Sequence, residues 1–256
     1  MRAIRKRAAP NSLAEWRAPR LAANRPEGME CTYEEMRRAP AVLEAVEDTL
    51  FAEQGGICAY TGHRIQLTTT GSLTGVQRDV NFHIEHITPQ TYCTAEFAGY
   101  GRDADYNNLL ACWPRPNCGF EPAYGARKKG NWPSVAEQAR FISPLRADCS
   151  AHFRFSHLGE ISAAQEGDAT ANDTIARLGL DDPALTALRK EAIRGSLNPA
   201  SRPIKLKEAR RLLRRMDQDS YEVNQGISHR LTPFCFAIQP ALEREIRKLE
   251  AIRNGV

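Results

Sequence analysis

The stretch His83-Ile84-Glu85-His86-Ile87-Thr88-Pro89 puts a carboxylate and two imidazoles at the end of a predicted strand. Side chains two apart on a strand share a face, so His83 stands beside Glu85. A carboxylate prefers a hard cation such as Mg²⁺, and a neutral imidazole near its ordinary pKa is the usual general base at physiological pH. These are parts for metal-assisted hydrolysis. Taken alone, the pattern is also compatible with an ordinary surface strand, so the surrounding sequence has to decide.

Around it, residues 57–67 and 80–87 read as two short strands separated by a polar connection, 68–75, rich in Thr and Gly. Asp105-Tyr106-Asn107-Asn108-Leu109-Leu110-Ala111-Cys112 approaches the same centre, and Pro114, Pro116 and Pro122 mark a loop. Residues 124–131 then read as a short helix bearing Arg127, Lys128 and Lys129. Upstream, Pro10, Pro19 and Pro26 among arginines disfavour a long helix and suggest an extended arm that lies against something. Met36, Leu43, Val46, Leu50 and Phe51 have helical spacing, with a break at Pro40 and a stop at Gly55-Gly56.

Downstream, residues 152–161 alternate and turn at Gly159, which predicts a hairpin. The remainder is helical, with apolar stripes such as Ile175, Leu178 and Leu185, then Leu206, Leu213 and Met216, then Leu242, Ile246 and Leu249. No internal repeat is present.

The 256 residues carry a formal net charge of +4, unevenly distributed. Residues 1–40 hold nine bases and five acids, 41–201 fourteen and nineteen, and 202–256 twelve and seven. An acidic centre between basic flanks suits a cation site bordered by phosphate contacts, although flank charge also serves solubility or an acidic partner. No run reaches the roughly 18 apolar residues of a membrane span, and Met1-Arg2-Ala3-Ile4-Arg5-Lys6-Arg7 leads into charge rather than an apolar signal core. A cytoplasmic protein without membrane contact is expected. Seven cysteines in a reducing compartment are buried thiols or metal ligands, and Cys31, Cys93, Cys149 and Cys235 have no ligand-like neighbours.

Cys58 on the first strand, Glu85-His86-Ile87 with Pro89, Asn108-Leu109 ahead of Cys112 and Cys118, and a basic helix resemble the HNH, or ββα-metal, endonucleases over about residues 55–132. The resemblance implies an α+β fold, with a small ββα-metal core embedded in a mainly helical chain. It also implies that Glu85 binds a catalytic divalent cation, Mg²⁺ or another, that His86 is the general base, and that Asn108 holds the loop orienting His86. Asn107, its neighbour, is the alternative. Arg127, Lys128 and Lys129 would meet the nucleic-acid backbone, or form a solvated charge run. A wider similarity, to HNH proteins found beside retrons and in Septu-type phage defence, rests on Met1 to Lys6, Gly56 to Thr61, His83 to Gln90, Tyr124 to Lys129 and Asp173 to Leu180. It implies an antiviral effector working with an ABC/SMC-type ATPase.

Two departures from that pattern stand out. The family's second metal ligand, a His or Asn on the basic helix, is replaced by Gly125 and Ala126. Asn131, Asn117, Asp105 or His83 can take its place, and His83 is preferred because it shares a strand face with Glu85. The Cys-x-x-Cys pair expected at Cys58 ends in Thr61. Cys58, His63, Cys112 and Cys118 can then make a Cys₃His structural zinc site at an unorthodox spacing, or remain core thiols.

The expected organisation is an arm and lead-in helix over 1–54, the nuclease core over 55–150, and a hairpin with a helical region over 151–256. The competing reading is a noncatalytic nucleic-acid-binding or adaptor subunit on a degenerate HNH fold. Trp16, Trp113 and Trp132 carry no assigned role, and the arginines of the 206–217 helix read as a solvated face or a contact surface. Whether the substrate is DNA or RNA is left open by the residues.

Overall fold

In the computed structural model, which describes residues 1–72, 75–217 and 230–254, helices surround three small antiparallel sheets. The class is therefore mixed α+β. The first nine residues are extended, as expected of the arm, and they are tied down. The Ile4 N–H donates to the Pro144 carbonyl at 2.7 Å, and Lys6 Nζ donates to Glu53 Oε1 and to the Leu109 carbonyl, both at 2.7 Å.

The arm then departs from expectation and becomes helix α1, Asn11–Leu21, in spite of Pro19. Tertiary contact overrides the local penalty: Leu13 is buried, Trp16 packs on the core, and Pro19 falls in the last turn, near the helix end. Helices α2, Tyr33–Arg37, and α3, Pro40–Glu53, divide at Pro40, where the missing N–H is harmless in a first turn. Val42, Val46 and Leu50 of α3 enter the core. Gly55 and Gly56 follow with φ of 61° and 67°, a left-handed pair that reverses the chain.

The expected strand over 57–67 is instead a tight turn. Ile57 bridges Arg64, and the Cys58 N–H donates to the His63 carbonyl at 2.8 Å. The polar connection turns out to be the better strand region. β1, Leu67–Ser72, pairs with β2, Gly75–Val80, antiparallel from Leu67↔Val80 onward. Threonine is β-branched and suits an exposed ribbon, which a reading based on apolar content overlooks.

β3, His83–His86, pairs with β4, Leu109–Cys112, in the register His83↔Cys112 and His86↔Leu109. Helix α4, Ala126–Lys129, is shorter than expected because Gly125 and Gly130, with φ of 74° and 52°, close it at both ends. The hairpin turning at Gly159 is present as β5, Phe153–Phe155, and β6, Ile161–Ala163. Helices α5, Ala169–Leu178, α6, Pro183–Leu197, α7, Leu206–Asp217, and α8, Cys235–Asn254, complete the chain. One apolar cluster runs from Met1 through Leu50, Ile84, Leu110 and Leu178 to Ile246. Cys31, Cys93, Cys149 and Cys235 are buried thiols within the body of the protein. No helix of the described residues is long and apolar enough to cross a membrane.

Candidate active site

Strand alternation sorts the opening motif into two faces. Ile84 and His86 are buried, whereas His83 and Glu85 line an open cleft of about 440 Å³ together with Arg115, Asn117, Arg127 and Asn131. His83 Nδ1 lies 2.6 Å from the Pro114 carbonyl. Because a carbonyl only accepts, Nδ1 carries the proton and the other ring nitrogen faces Glu85, with Nε2 and Oε2 3.8 Å apart.

The second carboxylate oxygen is taken by a lysine. Lys129 Nζ donates to Glu85 Oε1 at 2.8 Å and to the His86 carbonyl at 2.8 Å, and the lysine is buried. Burial by itself would raise the Glu85 carboxyl; the neighbouring His83 and the Lys129 ammonium outweigh it, and the group is held below the usual carboxylate range. Burial likewise pulls His83 down, but the neighbouring Glu85 carboxylate prevails and raises it.

His86 occupies a different environment. Its Nε2 donates to the Asp103 carbonyl at 2.9 Å, which leaves the lone pair on Nδ1, and the Tyr33 ring meets it edge-on with centroids 4.6 Å apart. Burial lowers its pKa more than the Glu85 charge restores it, so the imidazole is neutral at pH 7. Asp103 clasps both sides of this pocket, since its Oδ2 accepts the Tyr33 N–H at 2.8 Å. Asn108 holds the chain just beyond His86: Oδ1 accepts the Thr88 N–H at 2.7 Å, and Nδ2 donates to the Thr88 and Arg102 carbonyls at 3.0 and 3.1 Å. Asn107 is exposed and takes no part in that clasp.

The basic run divides. Arg127 and Lys128 are exposed, while Lys129 points inward, away from any incoming strand. Its direction has a sequence signal, because Ala126 and Lys129 are one helical turn apart and a small apolar residue marks the inward side. Of the four residues suggested as zinc ligands, the structure brings Cys58 and Cys112 together and sets the other two in different surroundings. Cys58 and Cys112 are buried in mutual hydrogen-bond contact, Cys118 is exposed with its thiol on the Phe120 carbonyl, and His63 is stacked on Trp113 with Nδ1 2.9 Å from Thr61 Oγ1. Among the described residues no three His, Cys, Asp or Glu side chains form a group able to hold a metal by themselves. Asp103, Tyr33 and the Pro114 carbonyl are site components that sequence reading missed, since each acts through backbone or long-range contact.

Comparison of the chain with protein-family models and with curated proteins finds no match. The functional reading rests on the residues and their geometry.

Proposed function

We propose that this protein is a metal-dependent endonuclease of the HNH kind, hydrolysing phosphodiester bonds of nucleic acid at the β3 edge. The observation that carries the reading is the pairing of His83 and Glu85 on one open cleft, with a neutral, oriented His86 next in sequence on the buried face of the same strand. Two antiparallel strands and a short basic helix meeting at Glu85 agree with the HNH resemblance.

The residues fit a divalent cation. Nε2 of His83 and Oε2 of Glu85 face each other 3.8 Å apart and are the groups that would hold the ion. The hydrogen bond from His83 Nδ1 to a backbone carbonyl is the usual outer contact of a ligating imidazole. Mg²⁺ needs only one or two protein ligands, completing its shell with water and phosphate. Bound there, the cation would stabilise charge on the phosphoryl oxygens. Within the chain, His86 Nδ1 would take the proton of the attacking water, with the Asp103 carbonyl holding its ring and Asn108 holding the Thr88 backbone beyond it, and Arg115 and Arg127 would meet flanking phosphates.

The biological setting that goes with this reading is a cytoplasmic antiviral effector released by an ABC/SMC-type ATPase. A second reading, a noncatalytic nucleic-acid-binding or adaptor subunit, draws on two observations: Lys129 already neutralises Glu85, and Tyr33 covers His86. Incubating the protein with plasmid and total RNA, with Mg²⁺, Mn²⁺ or a chelator, and with or without the ATPase, separates the two. We expect cation-dependent cleavage that His86→Ala abolishes while folding and partner binding persist. Cleavage by His86→Ala at the wild-type rate overturns the assignment, and binding with no cleavage under any condition favours the adaptor.

A further inference from the structure

We infer that Phe120 is a stacking platform for an unpaired nucleobase at the His83–Glu85 cleft, so that the strand taken there is single-stranded or locally unpaired; calling that strand a substrate rests on the nuclease reading. Phe120 lines the same cleft as His83 and Glu85, yet half of it (50%) is exposed. Scattered apolar side chains are ordinary on a surface, but this ring is backed by others. Trp113 lies next to it with centroids 5.5 Å apart and the ring planes tilted by 41°, Trp113 stacks on His63 at 4.2 Å and 5° from parallel, and His63 stacks on Tyr124 at 5.7 Å. The edge of Phe234 meets His63 at 5.2 Å. Phe120 is thus the outer ring of an aromatic column whose inner members are fixed by packing, and such a ring can accept a base with little loss of side-chain freedom.

The surroundings suit a sugar–phosphate backbone. Arg115 and Arg127 line the cleft with side chains 52% and 60% exposed, and each pairs with an exposed carboxylate, Asp79 and Glu121 respectively, Arg115 also reaching the Val80 carbonyl at 3.4 Å. Exposed pairs of this kind contribute little, so a phosphate can replace either carboxylate. Paired bases in a duplex present edges to a protein and hide their faces, whereas an unpaired base presents its face to an aromatic ring whatever its identity. The arrangement therefore selects strandedness rather than sequence.

The test is fluorescence anisotropy of labelled 12-nucleotide DNA and RNA single strands, and of a hairpin duplex of the same sequence, at low salt with chelator present. Single strands should bind more tightly than duplex. Phe120→Ala should weaken single-strand binding about tenfold and leave duplex binding unchanged, and Phe120→Trp should restore it. Because Phe120 is exposed, its variants are expected to fold, which circular dichroism checks. The inference is overturned if Phe120→Ala binds single strands like wild type, if it weakens single strands and duplex equally, or if the wild type binds no single strand. Cleavage with Mg²⁺ is read separately. Wild-type cleavage that Phe120→Ala leaves untouched defeats only the stacking role; a Phe120 effect on binding in a protein that never cuts defeats only the nuclease.

Discussion

Glu85 is held between Lys129 and His83, one partner fixed and one able to change its protonation. Lys129 is committed by a second bond to the His86 carbonyl, while His83 carries only a backbone contact on its far nitrogen. On the proposed reading, a divalent cation would take the place of a His83 proton and leave the lysine where it is. Removing the ammonium would leave a largely buried carboxylate with half of its compensation gone. Lys129→Met should cost about 3 kcal/mol, read by urea denaturation, and adding Glu85→Gln should recover part of the loss. Asn108→Ala strips partners from the Thr88 backbone and should cost about 2 kcal/mol. Residue types at these positions were legible because Glu85, His86 and Asn108 stand in a spaced pattern. The inward turn of Lys129 was not read, since three consecutive bases look alike until a packed Ala126 sets the direction.

At the level of elements, the hairpin of β5 and β6 shows how a turn is fixed from outside itself. Gly159 has φ of 81°, and a methyl group placed there would lie 2.4 Å from the Thr186 carbonyl of α6. Its own carbonyl accepts from the buried Arg189 at 2.6 Å. Gly167 has φ of 80° but open space around it. Gly159→Ala should therefore destabilise by more than about 3 kcal/mol, and Gly167→Ala by only about 1 kcal/mol, both read by thermal melting. Equal losses would contradict the packing argument. Elements announced by glycine, proline or helical stripes were readable in advance: the Gly159 hairpin, the Pro40 break and the C-terminal helices. Those that failed, the α1 helix through Pro19 and the threonine ribbon of β1 and β2, were decided by contacts or by the β-preference of polar residues.

For the whole molecule, acid acts through histidines of opposite sign. Burial lowers His63 to about 4 and lowers His86, so below the unfolded value of about 6.5 the unfolded chain binds more protons and stability falls as the pH drops. His83 is raised, so its contribution is full below about 6.5 and fades as the pH rises through its folded value. Two against one, stability should decline from pH 7 to 5. His63→Phe, which keeps the ring between Trp113 and Tyr124, should reduce that decline by about 1 to 2 kcal/mol in urea titrations at the two pH values. An unchanged decline would show that His63 does not stay neutral in its stack.

By itself, the sequence determined which groups are available: a carboxylate flanked by imidazoles on a strand, an asparagine loop, a basic turn, and helices enough to bury them. Local periodicity and backbone restriction are written in neighbouring residues, so they can be read without a fold. The tertiary structure decided which face each group occupies and whose company it keeps. It turned His83 and Glu85 to a cleft, sent Lys129 inward, set His86 against Asp103 and Tyr33, and left Phe120 open on its column. Those choices depend on burial and on donors distant in the chain, and their energies exist only once the segments meet.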